Sequence, residues 1–405
     1  MILLNLAWRN LWRNSRRSVI ILISVAVGVI ATVLLDTLSR GMAYQMLDNQ
    51  VGSHVTHMQI HRKGFHKNPV IQNSINHPDT VVNAIESTDG IDQFSARVVV
   101  FGLLSSAGSS SGTSIVGVDP EGEKSLTTIQ SSIIEGSYLS GEPHEIVIGR
   151  AMADKLEVGL GDRVVAMASA KDGHVGSELF RIVGLFQTFS SAFDRSSVYV
   201  PRSSAQTMLG LNDEVSEFAM LLSEADQIRS IEKTLAEKLG EGYEVLPFME
   251  ILPFLVLQIE LFDQSMAIFY VIIGIALIFG IINTMLMSVF ERIREFGVLK
   301  AIGMNNRRIL IMVLNEALLL GVVGTAVGFV IGYLIYLPLS DSGVDLSIFS
   351  EGLRSFGVGA VIYPVLTSGV IVNALLIIPL VAVIGAVYPA VRAMRLEPVQ
   401  AIRYV

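Results

Sequence analysis

The side chains best suited to hold a metal are four histidines in one short stretch, His54, His57, His61 and His66. On a strand rising about 3.3 Å per residue, His57 and His61 share a face about 13 Å apart and His54 points the other way. A zinc site needs its ligands about 2 Å from one ion, so no metal centre is expected. Neither a G-x-x-x-x-G-K-S/T loop nor an H-E-x-x-H pair occurs. The chain is therefore not expected to be an enzyme, and its energy must come from a partner or an ion gradient. A gradient calls for ionisable or broken-helix features at mid-membrane, where charge is costly and kept for function. The candidates are Glu316, Asn315, Asn283 and Asn373. Glu316 lies about two turns, roughly 10 Å, inside the edge of its apolar stretch, so it can snorkel and argues only weakly for a proton path.

The most informative stretch runs from Glu291 to Met304. Its charged residues Glu291, Arg292, Arg294, Glu295 and Lys300 sit beside Ile293, Phe296, Leu299 and Ile302, and Gly303 followed by Asn305 and Asn306 is a stop signal. A short amphipathic helix of this kind suits the groove of a cytoplasmic partner, and an interfacial helix would read the same way. Gly321, Gly324, Gly328 and Gly332 recur at three or four residues, which lets a neighbouring helix approach backbone to backbone.

The elements that must position these residues are set by composition. Of 405 residues, 51% are hydrophobic and 16% charged, and the mean hydropathy is +0.56. Four apolar stretches reach or approach the roughly 20 residues that cross a bilayer: 19–35, 266–290, 309–339 and 365–388. The first follows Arg9, Arg13, Arg16 and Arg17 and precedes Asp36 to Arg40 rather than a small-residue cleavage site, so it reads as an uncleaved anchor. Ahead of it, Leu4, Ala7, Trp8, Leu11 and Trp12 repeat at helical spacing, as in a helix lying in the interface within residues 1–18.

Lys and Arg collect in residues 1–18, 291–308 and 389–405, while the short loop 340–364 has only Arg354 against Asp341, Asp345 and Glu351. By the positive-inside rule both termini are cytoplasmic and residues 36–264 lie outside. Residues 36–264 hold 16 Lys or Arg and 30 Asp or Glu, a balance of −14, so the remaining residues carry +6 of the formal −8. The charge is a difference between compartments and points to no nucleic acid. With no cysteine, the outer domain must stand on its own core.

That domain reads as α/β. Strands are expected at Thr56–His61, Val98–Leu104 and Thr113–Val118, and helices at Thr80–Ser87 and Ala225–Leu239. Four β-rich runs, Glu145–Gly149, Arg163–Ala168, Leu179–Phe186 and Ser197–Val200, predict a β-rich subdomain nested at about 125–205. Ser105–Ser114 reads as a polar hairpin tip or loop. Pro247 to Gln264 has near-helical apolar spacing, so the second span is expected to project beyond the membrane as a stalk.

Glu291 to Met304 resembles the coupling segment of the permease superfamily that includes the MacB-type exporters, the lipoprotein-releasing LolC and LolE permeases and the division protein FtsX. The Glu316-Ala-Leu-Leu-Leu320 stretch with its glycine ladder, the ending from Tyr388-Pro-Ala-Val-Arg-Ala393 to Glu397-Pro-Val-Gln-Ala-Ile-Arg403, and the opening Ala7 to Arg17 are similar to the same family. Glu145 to Gly149, Gly161-Asp162 and Phe180 to Phe186 resemble its periplasmic core. The resemblance covers essentially the whole chain.

It implies a four-span α-helical membrane protein of the bacterial inner membrane with a MacB-like periplasmic domain, working as the permease of a type VII ABC transporter by mechanotransmission. Arg292, Arg294, Glu295, Gly297, Lys300 and Gly303, with Glu291, would meet a separate ABC ATPase, which alone binds ATP and Mg; the permease needs no cofactor. It further implies a second permease chain, as homodimer or paralogue heterodimer, and a periplasmic carrier or adaptor, all among membrane lipids. MacB-type exporters place an ATPase ahead of the first span, where this sequence has about 18 residues. The strand pattern of Glu145–Val200 leans toward lipoprotein release. Efflux of macrolides, peptides or toxins with an adaptor, and a signalling scaffold for a cell-wall hydrolase, are the alternatives.

Overall fold

The computed structural model describes residues 15–397, so the expected interfacial helix over Leu4–Trp12 lies outside the described residues. Among the described residues four helices are long and apolar enough to cross a membrane. They run Ser15–Gln50 (36 residues), Pro253–Glu291 (39), Asn306–Ser342 (37) and Ser368–Met394 (27). At 1.5 Å per residue the first two span about 54 and 58 Å, well beyond about 30 Å of hydrocarbon.

The first helix does not stop where its apolar run stops. Asp36, read as the first outer residue, lies within it: no glycine–proline pair breaks the turn, and the Thr32 and Thr37 hydroxyls are satisfied inside the helix by Gly28 O and Val33 O at 2.8 Å. The chain forms two compact units: a membrane unit of residues 1–43, 259–345 and 361–405, and an outer unit of residues 44–258 and 346–360.

In the membrane unit the glycine ladder divides its work. A Cβ on Gly321 would lie 2.9 Å from Ala382 Cβ of the last helix; on Gly324, 2.8 Å from Val25; on Gly328, 2.7 Å from Ala26 O of the first helix. At Gly332 the nearest atom is 3.6 Å away. Gly28 packs on Leu277 and Gly385 on Ile278 and Ile281, so the first and last helices each also meet the second. Val25, Val29, Ile281, Met285, Ile309, Met312, Ala382 and Ala386 fill the interior.

The outer unit is one ten-stranded sheet, with strands β1 (Met58–Arg62), β2 (Ile91–Ser105), β3 (Ser110–Val118), β4 (Ile133–Gly136), β5 (Glu145–Gly149), β6 (Arg163–Ser169), β7 (Val175–Phe186), β8 (Ser197–Pro201), β9 (Glu217–Leu222) and β10 (Tyr243–Pro247). The order β10-β1-β9-β2 is an antiparallel half sheet. Its core is covered by helices Pro78–Glu86 and Ile228–Leu239 through Val81, Ile85, Ile228, Ile231 and Leu235.

Past Arg97, β2 leaves β9 and pairs with β3 on one side and, from Gly102, with β6 on the other. Through β3-β8-β5-β7-β6 the pairing returns to β2, closing a six-stranded barrel with parallel β3·β8 and β5·β7 contacts. Alternate residues fill it: Ile146 and Ile148, Val164 and Ala166, Phe180 and Ile182, Val198 and Val200. The nested subdomain therefore begins at Val98, not near 125. Fifteen residues of β2 serve two sheets in turn, and a boundary inside one strand leaves no turn residues in the sequence.

Of the two readings of Ser105–Ser114, the structure shows the hairpin tip. β2 and β3 consume most of it, and the turn is pinned where Ser106 Oγ and Ser109 Oγ donate to Leu156 O at 2.9 Å and Lys155 O at 3.2 Å, capping helix Arg150–Leu156. Gly108-Ser-Ser-Ser-Gly112 has the spacing of a serine nucleophile elbow, but it lies in this β-hairpin rather than between a strand and a helix. Between the third and fourth membrane helices, two short strands, Val344–Asp345 and Val361–Ile362, pair, and helix Ser350–Ser355 carries Arg354 to Asp194 at 3.4 Å and Thr188 O at 3.1 Å within the outer unit.

Candidate functional site

The stretch singled out in the sequence forms helix Ile293–Ala301 between the second and third membrane helices. It ends where Gly303 adopts φ +94°, a left-handed conformation that favours glycine. Asn305 then caps the third membrane helix by accepting from Arg307 N at 3.3 Å.

Its inward face is Ile293, Phe296 and Gly297, with Phe296 set among Val289, Ile309 and Ala393. Arg292 also turns inward. Its guanidinium donates to Glu316 at 2.9 Å and to Glu295 at 3.1 Å and lies 5.3 Å over the Phe296 ring. The Arg292 and Glu316 side chains are only 11% and 8% exposed. Glu316, the carboxylate that raised the question of a proton path, is the counter-charge of Arg292.

At the other end of the short helix, Lys300 Nζ donates to Met394 O and Leu396 O, both at 2.6 Å. The final carbonyl of the fourth helix and one just past its end thus gain a cation, as a helix C-terminus favours. The short helix is clasped to the third membrane helix by Arg292 and to the fourth by Lys300. Facing outward are Arg294, Glu295, Val298 and Ile302, the last 75% exposed, with Glu291 and Gly303 also at the surface. That leaves a small apolar and charged face of the kind a partner groove can cover.

In the outer unit the histidines have partners inside the chain. His61 Nε2 meets Gln59 Oε1 at 3.0 Å and its ring stacks on Phe65, His57 Nδ1 accepts from Leu222 N at 3.0 Å, and the His54 ring lies 5.6 Å from Phe193. Among the described residues no group of three or more His, Asp or Glu is placed to share a metal ion.

The charge cluster that sequence reading missed is Arg97, which is 0% exposed. It holds Glu123 through two bonds at 3.1 and 2.6 Å, Glu217 at 3.2 Å and His54 O at 2.6 Å. Burial pushes the Glu217 carboxyl up, but Arg97 with His61 and His54 outweighs it and holds it below the usual carboxylate range. His54 lies within the five-residue π-helix Val51–Val55, and the residue that caps its end, Thr56, is β-branched at φ +63°. A guanidinium, a π-turn and a strained threonine therefore fix where the first helix enters the sheet. The only signal in the sequence was Arg97 within an apolar strand, where no partner can be named from spacing.

A solvent-open groove of about 330 Å³ lies along β6 and β7, lined by His144, Arg163, Glu178, Leu179, Phe180 and Arg181, with His144 Nδ1 2.7 Å from Glu178. It is a locally basic place on a strongly acidic domain.

Among the described residues, four membrane helices, an α/β domain inserted after the first, and a clasped short helix between the second and third have the architecture of a membrane permease. Residues 18–238 match the MacB-like periplasmic core domain and residues 267–398 the FtsX-like permease C-terminal domain, so the chain belongs to the MacB/FtsX family of ABC transporter permeases. It is 24% identical to the uncharacterized ABC transporter permease YvrN of Bacillus subtilis (strain 168), covering 99% of each chain. It is 25% identical to the macrolide export ATP-binding/permease protein MacB of Bdellovibrio bacteriovorus, over 99% of this chain and 61% of that one. It is 23% identical to the lipoprotein-releasing system transmembrane protein LolC of Xylella fastidiosa (strain 9a5c), over 71% and 72%.

Proposed function

We propose that this permease transmits the work of a separate cytoplasmic ABC ATPase to its outer domain, and that its cargo is a lipoprotein drawn from the outer leaflet of the inner membrane and passed to a soluble carrier. The observation that carries the mechanical reading is the clasped helix Ile293–Ala301. A surface helix held only by its apolar side would rock in its seat. This one is fixed at its start by the Arg292–Glu316 pair and near its end by Lys300 on carbonyls at and just past the end of the fourth helix, so a push on Arg294, Glu295, Val298 or Ile302 moves two membrane helices.

Glu291 and Gly303 complete the proposed contact, while Gly297 is buried on the inward face behind it. Arg292 and Lys300 act behind it as positioning residues. ATP and Mg stay with the partner. The Lys and Arg distribution supports placing this contact and both termini in the cytoplasm.

The LolC relative supports lipoprotein release. The MacB relative favours a second reading, export of a small amphiphile or peptide with an adaptor on the outer domain. Copurification of permease and ATPase without ATP, followed by mass spectrometry of what is retained, tests the two. An acylated protein on the complex is expected; a complex holding a peptide or small molecule and no acylated protein moves the assignment to export.

A further inference from the structure

Asp36 is 2% exposed on a helix whose neighbours in sequence are apolar. A carboxylate taken from water costs several kcal/mol unless it is paired and hydrogen-bonded, roughly as for any buried charge. Here Arg40 Nε donates to Asp36 at 3.1 Å from one turn on, and the Tyr270 hydroxyl of the second membrane helix donates to its other oxygen. Asn373 of the fourth helix also lies close enough to act on the Tyr270 hydroxyl. Arg40 Nη1 reaches 3.9 Å from Asp263, again on the second helix.

An independent contact lies beside this knot. Val365 N donates to Thr37 O at 2.9 Å, and a Cβ on Gly41 would fall 2.2 Å from Tyr363 O. The segment leading into the fourth helix therefore lies directly on the backbone of the first. Three helices are joined at one level by side chains and by backbone, beyond the apolar run of the first.

We infer that Asp36 and Tyr270 fasten the first and second helices at this level, so that the two long rods leave the bundle as a single lever instead of sliding past each other. The inference rests on the transport reading above. Rigid elements joined by a discrete polar link carry displacement, whereas two unlinked helices dissipate it as slip. Asp36, Arg40, Tyr270 and Asn373 are positioning residues and touch no cargo.

The chain has no cysteine, so Tyr44→Cys and Leu257→Cys, at exposed sites on the two helices, accept nitroxide labels without background. The labelled permease, assembled with its ATPase in nanodiscs, is measured by electron–electron dipolar spectroscopy without nucleotide and after trapping with ATP and vanadate. The parent should give one narrow distance distribution in each state. Tyr270→Phe and Asp36→Asn should each broaden it about twofold, as loss of a restraint on collective motion does, with cargo release per ATP falling in step.

Tyr270→Phe keeps the ring, and a thermal unfolding curve of the same complex checks that it is folded. Distributions in both folded variants as narrow as the parent's overturn the fastener. A parent complex that hydrolyses ATP and releases no cargo overturns the transport reading instead, and the widths without nucleotide still decide the fastener.

Discussion

A guanidinium enclosed by two carboxylates and a phenyl ring is no longer a surface charge, and Arg292 behaves accordingly. Removing one partner of a buried pair strands the other, so Glu316→Gln should cost about 3 kcal/mol, whereas Arg292→Leu with Glu316→Leu should recover most of that. Thermal unfolding of the detergent-solubilised chain measures both. The double variant should remain uncoupled, because stability returns but the clasp does not. Histidine gives a second prediction. Burial pushes the His61 imidazole below its ordinary 6.5, partly offset by Glu217 and Glu244. The unfolded chain then takes up its proton first as pH falls through 6.5, so stability declines with acidification in that window. The Glu217 carboxyl, held low by Arg97, adds a further loss only below about pH 4.5. Unfolding midpoints from pH 7.5 to 5 should fall, and His61→Gln should flatten the slope. An unchanged slope would remove His61 as its source.

Among the elements, close helix packing is the easiest to test. At Gly328 a side chain would meet the Ala26 backbone at 2.7 and 2.8 Å, while at Gly332 nothing lies nearer than 3.6 Å. Gly328→Leu should therefore cost about 1–3 kcal/mol by overpacking, and Gly332→Ala about 0.5 or less; unfolding midpoints of the two variants in one detergent would rank them. Spacing in the sequence named all four glycines but not which helix each would face, since that depends on tertiary neighbours. The same limit runs through the fold. Glu145–Gly149 was legible as a strand because Ile-Val-Ile lies between polar residues and a glycine. The barrel was not, because β2 changes partners in mid-strand. Asp36 read as the end of a span because hydropathy reports where lipid ends, not where a helix does. Lys300 and Arg292 read as surface charges because an amphipathic pattern shows polarity, not the carbonyls of residues 394 and 396 or a glutamate 24 positions on.

Across the whole molecule the sequence is divided by the demands of two media. Residues 36–264 carry −14 and an α/β domain, the remainder +6 and four apolar helices, and in the proposed function the short clasped helix is where a partner acts on the second. If that helix is the point of entry for work, damage to its outward face must separate partner binding from folding. Ile302→Asp and Arg294→Glu change residues that face outward, so membrane insertion and unfolding midpoint should stay within about 0.5 kcal/mol of the parent. Loss of an exposed apolar anchor and reversal of a charge at a contact of this size should weaken ATPase binding tenfold or more, about 1.4 kcal/mol. Binding of the purified ATPase to permease in nanodiscs reads this directly. If both variants retain full binding, the ATPase engages a different surface, and the clasp behind Ile302 is a structural brace of the bundle rather than part of a transmission path.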